Sequence, residues 1–120
     1  MRIAVPYYNG TVNPAFGKSE QFALYDVADG KVVSSEIVDN GGFSHTGLIT
    51  HLKNHAVDLA LVGNIGQHGF DAFAAAGIEL YTSNFGDADD VVNSYLNGTL
   101  ALKKEIKGCS FAGWSIIKQE

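Results

Sequence analysis

The chain has 120 residues, 46% hydrophobic and 18% charged, and its 13 acidic against 8 basic side chains leave a formal net charge of −5. This describes one globular domain, since at this length folding buries about two-thirds of the unfolded surface, enough for one core. The single cysteine, Cys109, excludes a disulfide framework. No run of about 20 apolar residues is present to span a bilayer. No basic cluster exceeds Lys103-Lys104, so nucleic acid is not an expected partner.

Met1-Arg2-Ile3-Ala4-Val5-Pro6 has one basic residue and three apolar ones before proline, shorter than the apolar region of a signal peptide. With a free thiol, the expected compartment is the cytoplasm. Residues 2–5 read as a first strand that Pro6 ends. The segment from Tyr7 to Ser19 reads as a loop, because it holds Asn9-Gly10, Asn13-Pro14 and Gly17. Residues 22–27 and 31–38 are rich in β-branched and aromatic side chains. Asp29-Gly30 between them predicts a hairpin.

After Asp39-Asn40-Gly41-Gly42 a helix is expected over roughly residues 46–55, capped by Ser44 or Thr46. Leu48, Ile49, Leu52 and Ala56 would form its apolar face. Residues 57–62 read as a buried strand, 63–69 as a glycine-punctuated loop, 70–76 as a helix closed by Gly77, and 78–81 as a last strand. A third helix starts among Asp87, Asp89 and Asp90, where the helix dipole favours negative charge, and stops at Gly98.

The order βββαβαβα predicts an α/β fold. An antiparallel meander of three strands is followed by two parallel strands joined through right-handed helical crossovers, in a five-stranded sheet ordered 3-2-1-4-5 with flanking helices. Loops 6–18, 39–46, 63–69 and 82–87 then share one rim, at the switch point where open α/β sheets bind ligands. Residues 99–120 form an extension with Leu100, Leu102, Ile106, Phe111, Trp114, Ile116 and Ile117. Apolar residues at that density pack on the core or on a second subunit, which makes a homodimer through this tail one expectation.

Two histidines fall in the rim loops. His45 and His68 each start a helix and can serve as soft-metal ligands or proton carriers; the plain alternative is a surface histidine beside a helix end. His51 and His55 share a helix face but lack the glutamate of a metalloprotease motif, so a solvated face is expected. The turn Gly63-Asn64-Ile65-Gly66-Gln67-His68-Gly69 opens a helix with backbone N–H groups suited to an anion, or needs its glycines only for tightness. It lacks both dinucleotide and nucleotide-triphosphate spacing. Phe16-Gly17-Lys18-Ser19 offers an aromatic wall, a flexible backbone and one positive charge. Cys109 falls outside the rim and reads as a bystander thiol. No G-x-S-x-G elbow occurs, and the first strand has no carboxylate for two-metal phosphodiester cleavage.

Ile3-Ala4-Val5-Pro6, the loop from Phe16 to Phe22, His45-Thr46-Gly47, and above all residues 57–66 with 76–81 resemble the dinitrogenase iron-molybdenum cofactor biosynthesis family over about residues 1–98. The resemblance implies a ribonuclease-H-like α/β fold without nuclease activity. It also implies a small carrier domain for iron-sulfur or iron-molybdenum-type clusters or their precursors. Ala15 stands where the family commonly has a histidine, so a ligand from that position is absent. His45 matches a family histidine, whereas His68 rests on its loop alone.

The resulting expectation is a non-catalytic carrier with a cluster held at His45 and His68 and cradled by Phe16, Gly17, Lys18, Asn64, Ile65 and Gly66. Cluster donor and acceptor proteins would be its partners. The alternatives are a metal-free sensor of small molecules or anions using the same rim, and a hydrolase with His45 or His68 as general base.

Overall fold

The computed structural model of the chain describes residues 1–40 and 45–104, with residues 45 and 46 described only by their place in a helix. Its elements are β1 (Arg2–Tyr8), β2 (Thr11–Val12), a 3-10 turn (Phe16–Lys18), β3 (Gln21–Ala28), β4 (Lys31–Asp39), α1 (His45–Asn54), β5 (Leu59–Leu61), α2 (Gln67–Ala76), β6 (Glu79–Tyr81) and α3 (Ala88–Leu96). The expected α/β class is observed. The expected five-stranded sheet is corrected to six strands, ordered β4-β3-β1-β5-β6 with β2 paired to β1 off that path.

The sixth strand exists because β1 does not stop at Pro6. Pro6 accepts a hydrogen bond through its carbonyl from Asn13 N (2.8 Å), so the nitrogen of this residue also faces away from β3. Its missing N–H therefore costs no rung of the β1–β3 ladder, which runs from Arg2↔Asp26 to Tyr7↔Gln21. On the other edge, β5 pairs with β1 only at Ile3 and Ala4. Beyond that point β2 takes over with Tyr7↔Val12 and Tyr8↔Thr11, across a turn whose Asn9 and Gly10 both have positive φ.

The hairpin between β3 and β4 forms at Asp29 (φ 54°) and Gly30 (φ 75°), the left-handed pair that a tight two-residue turn requires. A bulge between Asp26 and Val27 leaves Val33 opposite no residue of β3. Helix ends also follow local chemistry. Gly77 closes α2 at φ 73°, and Asp87 caps α3 by accepting from Asp90 N (3.0 Å). Ala56 is not on the apolar face of α1: the helix ends at Asn54, and Ala56 is an exposed left-handed residue (φ 62°) that turns the chain toward β5.

Helices cover both faces of the sheet. On one face Leu48, Ile49 and Leu52 of α1 and Phe73 of α2 pack on Ala4, Phe22, Leu24, Ala60 and Leu80. On the other, Val91 and Val92 of α3 pack on Ile3, Val5, Ala23, Tyr25, Leu59 and Leu61. At the end of the sheet opposite the rim, Arg2 clamps the structure: its Nε donates to Asp26 (2.7 Å), its Nη1 to the His55 carbonyl (2.9 Å), and its backbone N to Asp58 (2.9 Å). The guanidinium, with help from the Ser34 hydroxyl, holds the Asp26 carboxyl below its ordinary range. Of the C-terminal extension, Leu100 packs on the α3-side core and Lys103 bridges to Thr82. Cys109, Ile106, Phe111, Trp114, Ile116 and Ile117 lie outside the described residues. No helix among the described residues is long and apolar enough to cross a membrane.

Thr82 carries a buried hydroxyl with no partner among the described residues. Thr82→Val keeps its branched shape and removes the unmet donor. We expect it to raise stability by about 1 kcal/mol, read as a higher urea midpoint at unchanged slope.

Candidate functional site

At the rim, the loop after β2 and the loop after β5 are joined by main-chain bonds. Asn64 N donates to Pro14 O (2.7 Å) and Phe16 N donates to Asn64 O (3.1 Å), forming a parallel bridge between Ala15 and Asn64. Gly63 makes this approach possible. A Cβ there would lie 2.9 Å from Pro14 O and 3.0 Å from the Phe85 ring, closer than packed atoms come. The loop after β6 is tied in as well. Ser83 N donates to Gly63 O (2.8 Å), and Asn84, almost fully buried, donates through Nδ2 to the carbonyls of Val62 and Tyr81 (both 3.1 Å).

Between the first two loops lies an open cleft of about 400 Å³, lined by Ala15, Phe16, Gly17, Lys18, Asn64, Ile65 and Gly66. All six residues expected to cradle a ligand are brought together there, and Ala15 joins them. Phe16 is also a core anchor: it is 1% exposed and packs edge-on against Phe22 (5.9 Å) and Phe73 (5.2 Å). A 3-10 turn holds Gly17 and Lys18 over this ring, with Ser19 Oγ donating to Ala15 O (3.0 Å) and the Asn40 amide donating to Ser19 O (3.0 Å).

Among the described residues Lys18 is the only charged side chain on the cleft lining, and its ammonium has no partner there. It also borders a neighbouring recess of about 300 Å³ with Tyr7, Tyr8, Asn9, Asn13, Glu20 and Gln21. Across the cleft from it, α2 begins at Gln67 with no side chain capping its first turn, so the positive end of the helix dipole faces the Gly66 side. One cation and one helix start are thus brought to the cleft of a chain whose formal net charge is −5.

The expected helix start at Phe70 is corrected to Gln67. Gly69 looks like loop punctuation, yet it is buried in the helix because the Ile65 side chain fills the space its Cβ would take (2.9 Å). His68 is thereby the second residue of α2, exposed and off the cleft lining. His45 is the first residue of α1. His51 and His55 are half-buried, with rings edge-on at 4.7 Å and His51 Nε2 3.3 Å from the Asp39 carbonyl. Among the described residues no group of three or more His, Cys, Asp or Glu side chains is placed to hold a metal ion.

Comparison with known proteins places this architecture. The family model described as "Dinitrogenase iron-molybdenum cofactor" matches residues 1–98. The chain belongs to that family. An uncharacterised protein of Methanocaldococcus jannaschii is 30% identical over 105 residues, covering 83% of this chain and 89% of the relative. Among solved structures, the crystal structure of PH0822 aligns with a TM-score of 0.81 at 27% identity, covering 91% of this chain and all of that one. The apo form of the orange protein from Desulfovibrio gigas aligns with a TM-score of 0.72 at 28% identity, covering 84% and 91%. In this family member the site is thus shaped by main-chain bonds around Gly63 and Asn64. Asn84 and Gly63 are its unforeseen parts, since nothing in a residue type marks an asparagine as buried or a glycine as a point of loop contact.

Gly63→Ala should push the two loops apart and cost about 1–3 kcal/mol, the usual range for overpacking. Gly69→Ala meets Cγ1 and Cδ1 of Ile65, a side chain rather than backbone, and replaces a glycine inside a helix, so it should cost less. Paired urea titrations would check the ranking, and equal losses would contradict it.

Proposed function

We propose that the protein is a cytoplasmic, non-catalytic carrier that binds an iron-sulfur or iron-molybdenum-type cluster, or its precursor, in the Lys18–Gly66 cleft and passes it between donor and acceptor proteins during metallocofactor assembly. The observation that carries this reading is a preformed cleft, in a member of the cofactor family, whose only charge among the described residues is an unpaired cation beside a helix start. Metal-sulfur clusters are anionic and polarisable. Lys18, the α2 dipole and the Phe16–Ile65 walls suit such cargo without fixing it irreversibly.

His45 and His68, at the starts of α1 and α2, are the candidate ligands from the protein, and among the described residues the lining itself offers no imidazole, thiol or carboxylate. A cluster seated there keeps most of its own ligand shell. Among the described residues the lining holds no nucleophile paired with an acid, which supports carriage over turnover. The mixed sheet, antiparallel from β1 toward β4 and parallel from β1 toward β6, supports a ribonuclease-H-like grouping, with Arg2–Tyr8 free of the carboxylates a nuclease needs. A second reading, a metal-free anion sensor, is favoured by that same lack of ligating side chains and by Ala15 in the lining.

Anaerobic titration with a synthetic iron-sulfur cluster, followed by gel filtration, absorption and metal analysis, tests the proposal. Wild type should retain stoichiometric metal. Lys18→Glu should weaken retention at least tenfold, and His45→Ala or His68→Ala should lower it or change the absorption bands if that imidazole binds metal. Wild type that elutes without metal, while inorganic phosphate or molybdate raises its melting temperature, would replace the carrier with the sensor.

A further inference from the structure

The helix pattern of α1 predicts a solvated face for His51 and His55, yet both are half-buried and their rings stand edge-on with centres 4.7 Å apart. His55 lies one residue beyond Asn54, where α1 ends, but its N still donates to His51 O (3.2 Å), so the four-residue helical spacing is kept. Side chains so spaced project from one side of a helix.

The ring separation is that of two imidazoles sharing one ion. With metal–nitrogen bonds of about 2.1 Å and ring centres about 1.1 Å further on, rings 4.7 Å apart subtend about 95° at the metal, between a right angle and the tetrahedral one. His51 is already oriented by the sheet. Its Nε2 lies 3.3 Å from the Asp39 carbonyl, and because a carbonyl only accepts, this contact puts the ring's proton on Nε2 and its lone pair on Nδ1. Ligating imidazoles commonly donate their second N–H to a backbone carbonyl in this way. The His55 ring can turn about χ2, a soft torsion, to bring one of its nitrogens to the same ion.

The surroundings accommodate a cation. The pair occupies the C-terminal turn of α1, the negative end of the helix dipole. The Arg2 guanidinium, which donates to the His55 carbonyl (2.9 Å), is compensated by Asp26, with Glu36 and Asp58 adding to the negative side. Lys53 is turned toward α2, where its ammonium meets the Ala76 carbonyl. Among the described residues no third ligating side chain joins the pair, so the remaining coordination positions fall to water and the ion stays exchangeable.

We propose that His51 and His55 form a two-imidazole binding site for a divalent late transition cation such as Zn²⁺ or Ni²⁺. Imidazole nitrogen selects these ions over Mg²⁺ and Ca²⁺, which take oxygen ligands. The pair shares no residue with the Lys18–Gly66 cleft lining, so the site neither uses nor requires the cargo proposed there.

Isothermal titration of the untagged full chain with zinc chloride, and separately with nickel chloride, should show binding at tens of micromolar that excess Mg²⁺ does not displace. His51→Gln and His55→Gln should each weaken it at least tenfold, with far-UV circular dichroism and melting temperature of the metal-free protein unchanged. In amide NMR spectra, substoichiometric Ni²⁺ should broaden the resonances around His51 and His55 before those around Lys18 and Gly66. Wild type that binds neither ion overturns the proposal. Binding that either substitution leaves intact, that Mg²⁺ displaces, or that broadens the cleft resonances first belongs to another set of ligands and overturns it as well.

Discussion

The change of partner along one edge of β1 governs the rest of the molecule. From Ile3 to Ala4 that edge is held by β5, and from Tyr7 to Tyr8 by β2, with Pro6 at the crossover. Had β5 followed β1 to its end, the chain after β5 would have continued as strand along Tyr7. Instead it leaves the sheet at Leu61, and the loop after β2 folds back to meet it at Asn64. The cleft is the space created by this parting of strands. The positions of Gly63, Asn64, Pro14 and the 3-10 turn all follow from where β1 changes neighbours.

The two ends of the sheet are finished by different physics. At one, Arg2 gathers Asp26 and the His55 carbonyl through its guanidinium. Because the folded Asp26 pKa lies below its unfolded value, whatever this clamp adds to stability is present at neutral pH and fades as pH falls through the folded pKa. At the other end, among the described residues, the cleft lining carries no ion pair; hydrogen bonds to main-chain groups shape it and the Lys18 ammonium is left unpaired. The Arg2–Asp26 pair is satisfied within the fold, whereas the Lys18 ammonium stands where a ligand can meet it.

Much of this was legible in residue types whose local physics is strong. Asp29-Gly30 specifies a left-handed turn, Gly77 a helix stop and Asp87 a helix cap, and each appears where those preferences put it. The gathering of Phe16–Lys18 with Asn64–Gly66 was legible because strand direction alone decides which loops share an end. The failures share a cause. Pro6 reads as a terminator only if its nitrogen faces a ladder partner, Gly69 as a loop residue only if no neighbour needs its missing Cβ, and Ala56 as a helix-face residue only if the helix reaches it. Each depends on what a residue meets in the folded chain, which residue type alone does not encode. The buried Asn84 amide, bonded back to Val62 and Tyr81, belongs to the same class.

The bridge between Ala15 and Asn64 is made of backbone atoms alone. A socket whose outline is drawn by peptide groups keeps its shape when the residues facing into it are exchanged. Positions 15 and 18 can therefore drift, or be redesigned, with the scaffold indifferent to their chemistry so long as residue 63 is glycine and Ile65 keeps its place in the core. One mould can then hold different cargo in different descendants, and the identity of what is held becomes a property of two side chains rather than of the fold.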